Sequence, residues 1–178
     1  RTKKMSDGTF AVLGLLLGLW QMGAEHCPAG DCLAARAVPG AASLSSGMVW
    51  FQGEAAGRET YLRATTGRAR GPFLGVAGAS ATRHGDLWAG AGAAVRFGDP
   101  LGLLHGELHL MPGLWRRGRG PDLGGAIEFR SGAELGVAAG PVEIGLSYDH
   151  RSNGGLFPEN PGLESFQLRV RRGAGARR

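Results

Sequence analysis

The chain has 178 residues, a net charge of +5 and 33 glycines. That length suits one domain, and the lack of a Gly-X-Y period or a low-complexity repeat argues against collagen and disorder. With 43% hydrophobic residues and a mean hydropathy near zero, the chain is too polar for a bundle of membrane-spanning helices. It is not too polar for a membrane β-barrel, in which half of each strand is polar.

Residues 1–24 predict a secretory signal peptide. Three basic residues within the first four positions precede an apolar run over residues 10–20. This run is too short to cross a membrane as a helix, but it has the length of the hydrophobic region of a signal. We expect cleavage after Ala24 and hence export; a short N-terminal anchor is the alternative.

Residues 25–40 predict a short N-terminal segment ahead of the folded domain, and it holds both cysteines of the chain, Cys27 and Cys32. After export the two thiols could close a small disulfide loop, whereas two cysteines alone do not supply a zinc site. At the other end, residues 173–178 form a basic tail. Nucleic-acid binding is not expected, because no basic face interleaved with aromatic residues accompanies this tail.

Between residues 41 and 172, short alternating segments are separated by Gly, Pro, Asn and Asp clusters, which mark turns between antiparallel strands. We expect strands near 46–55, 58–67, 71–82, 86–97, 103–115, 124–138, 141–152 and 163–172. Eight strands of about ten residues predict an all-β fold, an eight-stranded antiparallel up-and-down transmembrane β-barrel. A soluble lipocalin-like barrel, with apolar residues inside, is the alternative.

His105, Glu107 and His109 share one face of the strand predicted over 103–115, opposite leucines on the other face. Three such side chains at a period of two could hold a metal ion. We favour a hydrogen-bonded network with arginines inside the barrel, and we predict no metal site.

A base, a nucleophile and a carboxylate fall on the apolar face of the last two strands. Alternation places His150 and Ser152 on the same face as Tyr148, and Glu164 on the same face as Phe166. Such polar groups have no packing role on an apolar surface, and together they predict an ester hydrolase that works against lipid. The alternative is a set of ordinary polar residues at the membrane boundary, where they cost little.

Two short motifs carry a family resemblance: His150-Arg151-Ser152-Asn153-Gly154-Gly155 and Asn160-Pro161-Gly162-Leu163-Glu164. They resemble the signature of the outer-membrane lipid A deacylases of the PagL type, also called acyloxyacyl hydrolases. The resemblance implies an outer-membrane barrel that hydrolyses the ester-linked acyl chain at the 3-position of lipid A and so remodels lipopolysaccharide. It implies an active site at the outer leaflet and no cofactor.

The resemblance also implies roles for individual residues. Ser152 is the expected nucleophile, His150 the general base, and Glu164 the group that orients the histidine. The expected oxyanion and substrate-binding residues are Asn153, Gly155 and Asn160. Expected partners are lipid A or lipopolysaccharide and the surrounding outer-membrane lipids. A homodimer is compatible with the sequence, which does not fix the oligomeric state.

Two other functions stay open at the level of the sequence. A non-catalytic barrel would serve as a structural or adhesive surface protein, although the predicted outer loops are short. An esterase with the same residues would act on phospholipid instead of lipid A. An α/β-hydrolase is not supported, because the chain has no Gly-x-Ser-x-Gly motif.

Overall fold

A computed structural model of the chain describes residues 8–173. The apolar run of the sequence is helical: α1 spans Thr9–Gln21 and continues as a π-turn over Met22–His26 and a 3-10 turn over Cys27–Ala29. A disulfide joins Cys27 to Cys32. Within residues 8–173, no helix is both long and apolar enough to cross a membrane.

The strands close into a barrel. They are β1 (Ala35–Ala37), β2 (Ala41–Phe51), β3 (Glu54–Arg70), β4 (Phe73–Thr82), β5 (Leu87–Gly98), β6 (Leu104–Arg116), β7 (Ile127–Ala139), β8 (Val142–Ser152) and β9 (Leu163–Gly173). Each strand from β2 to β9 pairs antiparallel with the next, and β9 pairs with β2 to close an eight-stranded ring. The short β1 adds to the end of β3. The predicted eight-stranded up-and-down barrel is confirmed.

The turn between β2 and β3 is not at residues 56–57, where the sequence predicted it. It lies at Gln52 and Gly53, whose positive φ values of 53° and 92° suit a two-residue hairpin turn. Gly57, with a φ of 115°, instead accommodates a β-bulge, because the register of β2 against β3 shifts opposite it. The first barrel strand, β2, also begins earlier than predicted, at Ala41 and not near residue 46.

The predicted break at residues 67–68 is also wrong. The strand β3 continues to Arg70. Its register against β4 shifts between Thr65 and Ala69, and its last residues also pair with β1, so the strand continues through Gly67. The strand β1 has no counterpart in the prediction, since three residues leave no alternation to detect.

The wall of the barrel sorts side chains by polarity. Exposed apolar side chains on the outside include Leu44, Leu62, Leu110, Leu135, Leu146, Phe166, Leu168 and Val170. Buried polar side chains in the lumen include Glu59, Arg63, Glu107, Arg130, Glu134, Asp149, Arg151, Gln167 and Arg169. An apolar outside and a polar lumen are typical of a transmembrane barrel and opposite to a lipocalin. The lipocalin-like alternative is therefore wrong.

Buried ion pairs fill the lumen. The guanidinium of Arg130 lies 3.1 Å from Glu59 and 2.5 Å from Asp149, and it stacks 3.7 Å from the centre of the Tyr61 ring. Arg63 pairs in the same way with two carboxylates, those of Glu107 and Glu134. Since a buried charge is costly unless it is paired, these contacts allow the barrel to hold charged residues in its lumen.

The three side chains that share a face of β6 belong to this network, as expected. His105 Nε2 lies 3.5 Å from Glu134, His109 Nε2 lies 3.3 Å from Asp149, and Glu107 pairs with lumen arginines. Among residues 8–173, no group of three or more His, Cys, Asp or Glu side chains is arranged to hold a metal ion.

The two ends of the barrel differ in the length of their connections. We call the end with loops 52–53, 83–86, 117–126 and 153–162 the loop end, and the end with turns 71–72, 99–103 and 140–141 the turn end. Two residues next to or within these loops, Leu123 and Leu163, are buried in one apolar cluster with Trp88 and Trp115. Their burial anchors the two longest loops to the barrel.

Helix α1 lies against the outside of the barrel over β5, β6 and β7. The ring of Phe10 is 5.6 Å from that of Tyr148, and Gln21 Nε2 donates a hydrogen bond to the carbonyl of Arg96 at 2.9 Å. Residues 8–24 of the predicted signal peptide thus cover part of the outer wall. Whether the chain is cleaved after Ala24 stays a prediction, and residues 174–178 of the predicted basic tail lie outside the described residues.

We expect the Arg130→Leu substitution to lower the free energy of unfolding by about 3–5 kcal/mol, because Asp149 loses its buried arginine and Glu59 keeps only Arg151 of its two. Urea unfolding of the refolded barrel in detergent measures this. Arg117→Leu is the matched control: its ion pair with Asp122 is more than half exposed, so less than about 1 kcal/mol should be lost. Equal losses in the two variants would contradict the role of the lumen network.

Candidate active site

The predicted base, nucleophile and carboxylate all lie at the loop end, where the structure brings two of them, His150 and Glu164, into direct register. His150 and Ser152 occupy the last residues of β8, and Glu164 is the second residue of β9. The register pairs His150 directly with Glu164, and His150 Nδ1 lies 3.6 Å from Glu164 Oε1. Both side chains project from the outer wall, on the same face as exposed Leu146 and Phe166.

The site is partly sheltered from its surroundings. The side chains of His150 and Glu164 are 12% and 22% exposed, and Ser152 is 1% exposed. The cross-strand neighbour of Ser152 on β7 is Phe129, and loop 153–162 begins immediately after the serine. Partial desolvation of the His150–Glu164 pair strengthens the electrostatic interaction between the two side chains.

A carboxylate at Nδ1 favours the imidazole tautomer with its proton on that nitrogen, and it leaves Nε2 as the nitrogen that accepts a proton. The distance of 3.6 Å between His150 Nδ1 and Glu164 Oε1 is slightly long for a hydrogen bond. Catalytic hydrogen bonds are often long before substrate binds. The pair is therefore suited to general-base chemistry.

A second serine stands next to the histidine. Ser131 on β7 is the direct cross-strand partner of His150 on β8, and it is 4% exposed. Directly opposed residues of an antiparallel pair have Cβ atoms about 4.5–5.5 Å apart. Reasoning from the sequence missed Ser131, because the neighbour of His150 on another strand depends on the register.

Gly162 forms the backbone wall behind the histidine. A Cβ atom added at Gly162 would lie 2.6 Å from His150 Cε1 and 3.4 Å from Glu164 Oε1. The absence of a side chain thus lets the imidazole lie directly on the main chain. In the sequence Gly162 had only the appearance of a turn residue.

The three predicted oxyanion residues organise loop 153–162. Asn153 Nδ2 donates to the carbonyls of Leu123 and Glu159, at 3.2 and 2.6 Å. The backbone N–H of Gly155 donates to Asn153 Oδ1, and the backbone N–H of Asn153 donates to Asn160 Oδ1, both at 2.9 Å. In this conformation Asn153 is therefore engaged within the loops, and the oxyanion role of the three residues stays a prediction.

A buried carboxylate in another loop supports the neighbouring loop 117–126. Asp86 is 1% exposed, and its Oδ1 accepts hydrogen bonds from the backbone N–H groups of Gly118 and Gly120, at 2.7 and 3.1 Å. Loop 117–126 in turn supplies the Leu123 carbonyl that binds Asn153. Asp86 thus connects three loops to the residue that follows Ser152. The sequence shows Asp86 only as a turn residue.

The model of the lipid A 3-O-deacylase (PagL) family matches residues 39–172, well over half of the chain. No curated protein matches the chain at a significant level. The crystal structure of the outer membrane enzyme PagL has 18% identity and a TM-score of 0.59, and the match covers 73% of this chain and 98% of that one.

Two further solved structures have the same fold. The crystal structure of Neisserial surface protein A (NspA) has 14% identity and a TM-score of 0.52, with 78% of this chain and 98% of that one covered. A de novo designed transmembrane β-barrel has 12% identity and a TM-score of 0.50, with coverage of 76% and 97%. These likenesses show the fold, and the family match confirms the predicted family. The chain belongs to the lipid A 3-O-deacylase (PagL) family.

Proposed function

We propose that this protein is a serine esterase of the outer membrane that hydrolyses the ester-linked acyl chain at the 3-position of lipid A. The observation that carries the proposal is the pairing of His150 with Glu164 on the outward, apolar wall of a barrel of this family, with Ser152 on the same strand face. A hydrolase that faces lipid can act on an ester that never leaves the membrane.

The proposed reaction has two halves. The hydroxyl oxygen of Ser152 attacks the acyl carbonyl carbon while its proton passes to His150 Nε2, and Glu164 stabilises the imidazolium. The sugar oxygen then leaves with that proton, and the acyl chain remains on Ser152. A water molecule, deprotonated by His150, attacks the acyl-enzyme and releases the fatty acid and the free serine.

Donors for the oxyanion belong to loop 153–162 in this proposal. Asn160 lies across the loop from Asn153 and accepts a hydrogen bond through Oδ1, which orients its carboxamide. We assign the role to Asn160 and to the backbone around Gly155, and to Asn153 the task of holding them in place. Preorganised donors of this kind contribute several kcal/mol to acyl transfer.

We place the loop end of the barrel on the extracellular side. The ester bonds of lipid A lie where its sugar headgroup meets its acyl chains. A site at the end of β8 and the start of β9 is at that boundary, with exposed Leu146 and Leu168 further along the same strands. These leucines would contact the acyl chains.

Mass spectrometry of lipid A from cells that express each variant tests the proposal. We expect the wild type to remove one acyl chain, and Ser152→Ala and His150→Ala to lower turnover at least about a thousand-fold, because neither retains the nucleophile–base pair. Ser131→Ala is the matched control, since Ser131 also borders His150. It should retain turnover.

Other outcomes of this measurement have distinct meanings. If Ser131→Ala is inactive and Ser152→Ala is active, Ser131 is the nucleophile. If phospholipid loses acyl chains and lipid A does not, the protein is an esterase of phospholipid and the proposed substrate is wrong. Intact lipids in cells with a folded wild-type barrel in the outer membrane would indicate a non-catalytic surface protein.

Gly162→Ala should lower kcat about 10- to 100-fold without changing the unfolding midpoint of the barrel. The new methyl group would meet His150 Cε1 at 2.6 Å, so the imidazole must move, and a displacement of about 1 Å can cost 100-fold. Gly40→Ala is the control, because a Cβ atom there meets nothing within 4 Å. A fully active Gly162→Ala variant would contradict the position of the histidine.

Asp86→Ala should loosen two loops at once. It removes the acceptor of two backbone N–H groups, so amide hydrogen exchange in 117–126 should rise at least about ten-fold, and exchange in 153–162 should rise with it. Asp86→Asn keeps the Oδ1 acceptor and should largely restore protection. Faster exchange confined to 117–126 would show that the catalytic hairpin does not depend on its neighbour.

A further inference from the structure

A second polar site interrupts the apolar outer wall, on β2, β3 and β4 near the loop end. It is an open depression of about 410 Å³, lined by Ser46, Arg58, Thr60, Ala81, Thr82 and Arg83. On β3, the next outward residue after Thr60, further from the loop end, is the exposed Leu62. The depression therefore lies at the border between the apolar band and the loops, the depth at which lipid headgroups meet a barrel.

The two arginines of the depression differ from those of the lumen. Both are exposed, and among residues 8–173 neither guanidinium has an ion pair with a carboxylate. By contrast, Arg63 on the opposite face of β3 pairs with Glu107 and Glu134. The nearby carboxylate of Asp86 accepts hydrogen bonds from Gly118 and Gly120 through Oδ1 and from the Thr82 hydroxyl through Oδ2, at 2.7 Å, and it pairs with neither arginine. Among the described residues, the depression thus carries two guanidinium groups that no carboxylate pairs with, although the Asp86 carboxylate lies at its border.

The fold holds these two arginines side by side. The backbone N–H of Arg83 donates a hydrogen bond to the carbonyl of Arg58 at 3.3 Å, and the register places Ser46 opposite Thr60 in the same depression. Two like charges held together repel each other unless an anion lies between them. Guanidinium groups bind phosphate through paired hydrogen bonds, and hydroxyl groups supply further donors.

We propose that this depression binds a phosphate group of an outer-leaflet lipid, with phosphorylated lipid A as the ligand. This proposal rests on the proposed function only in placing the loop end at the outer leaflet, because phosphate binding does not require hydrolysis. Arg58 is opposite Met48, and Met48 is opposite Phe166, the outward residue that follows Glu164. From β8 to β3 is a span of three strand spacings, about 14 Å. Both sites lie where their strands reach the loop end, so the phosphate site and the ester site border the same edge of the apolar band.

The test is a binding measurement on the full chain, refolded in a non-ionic detergent, in the Ser152→Ala background so that lipid A is not consumed. Dissociation constants are measured by native mass spectrometry for lipid A, for lipid A stripped of its phosphates, and for inorganic phosphate. The test variant is Arg58→Gln/Arg83→Gln. The control is Arg68→Gln/Arg70→Gln, which removes the same charge from exposed positions of β3 at the turn end. Heat-modifiable migration on gels shows that each variant is folded.

We expect the Arg58→Gln/Arg83→Gln variant to bind lipid A roughly 10- to 100-fold more weakly, since each arginine contributes about ten-fold. The control should bind as the parent does, and dephosphorylated lipid A should bind the parent about as weakly as lipid A binds the variant. Equal weakening in test and control, or no dependence on the lipid phosphates, would overturn the proposal. Inorganic phosphate that binds as tightly as lipid A would show a free-anion site instead.

This result is separable from that of the proposed function. A barrel that binds lipid A through Arg58 and Arg83 but releases no acyl chain in cells supports the phosphate site and contradicts the esterase. A barrel that cleaves lipid A, but whose affinity for lipid A does not depend on these arginines, supports the esterase and contradicts the phosphate site.

Discussion

The ion pairs inside the barrel are the constraint on which the rest of this structure depends. Arg130 shared between Glu59 and Asp149, and Arg63 shared between Glu107 and Glu134, occupy the lumen with charge that is paired within the protein. The lumen is thus lined by charged side chains that pair with one another. Leu123 and Leu163 anchor the two longest loops to the barrel, and the proposed site lies beside them on the outer wall.

The proposed site on the outer wall lacks the surrounding protein that a cleft would supply. Two strands set the pairing of His150 with Glu164, but the backbone at Gly162 and the neighbouring Phe129 limit where the side chains can go. Loop 153–162 then depends on loop 117–126, which depends on Asp86. The protein therefore surrounds the proposed site on one side only, and membrane lipid would cover the other side.

The strand period predicted the parts of this arrangement that depend on the neighbouring residues along the chain. It placed His150, Ser152 and Glu164 on one face, and it gave eight strands, because alternation needs no knowledge of partners. It could not find Ser131, whose place beside His150 is set by register, or Asp86, whose bonds cross between loops. The bulge at Gly57 was mistaken for a turn, since glycine with positive φ serves both.

Arginine serves two purposes in this chain, and strand parity separates them. On the inward face of β3, Arg63 is buried and neutralised by carboxylates of other strands. On the outward face of the same strand, Arg58 is exposed, with no carboxylate partner among residues 8–173. An inward charge has to be balanced by the protein, because the lumen offers nothing else. An outward charge at the edge of the apolar band can be balanced by an anionic lipid headgroup of the membrane. This difference is why a lipid phosphate suits the outward arginines in the proposed site.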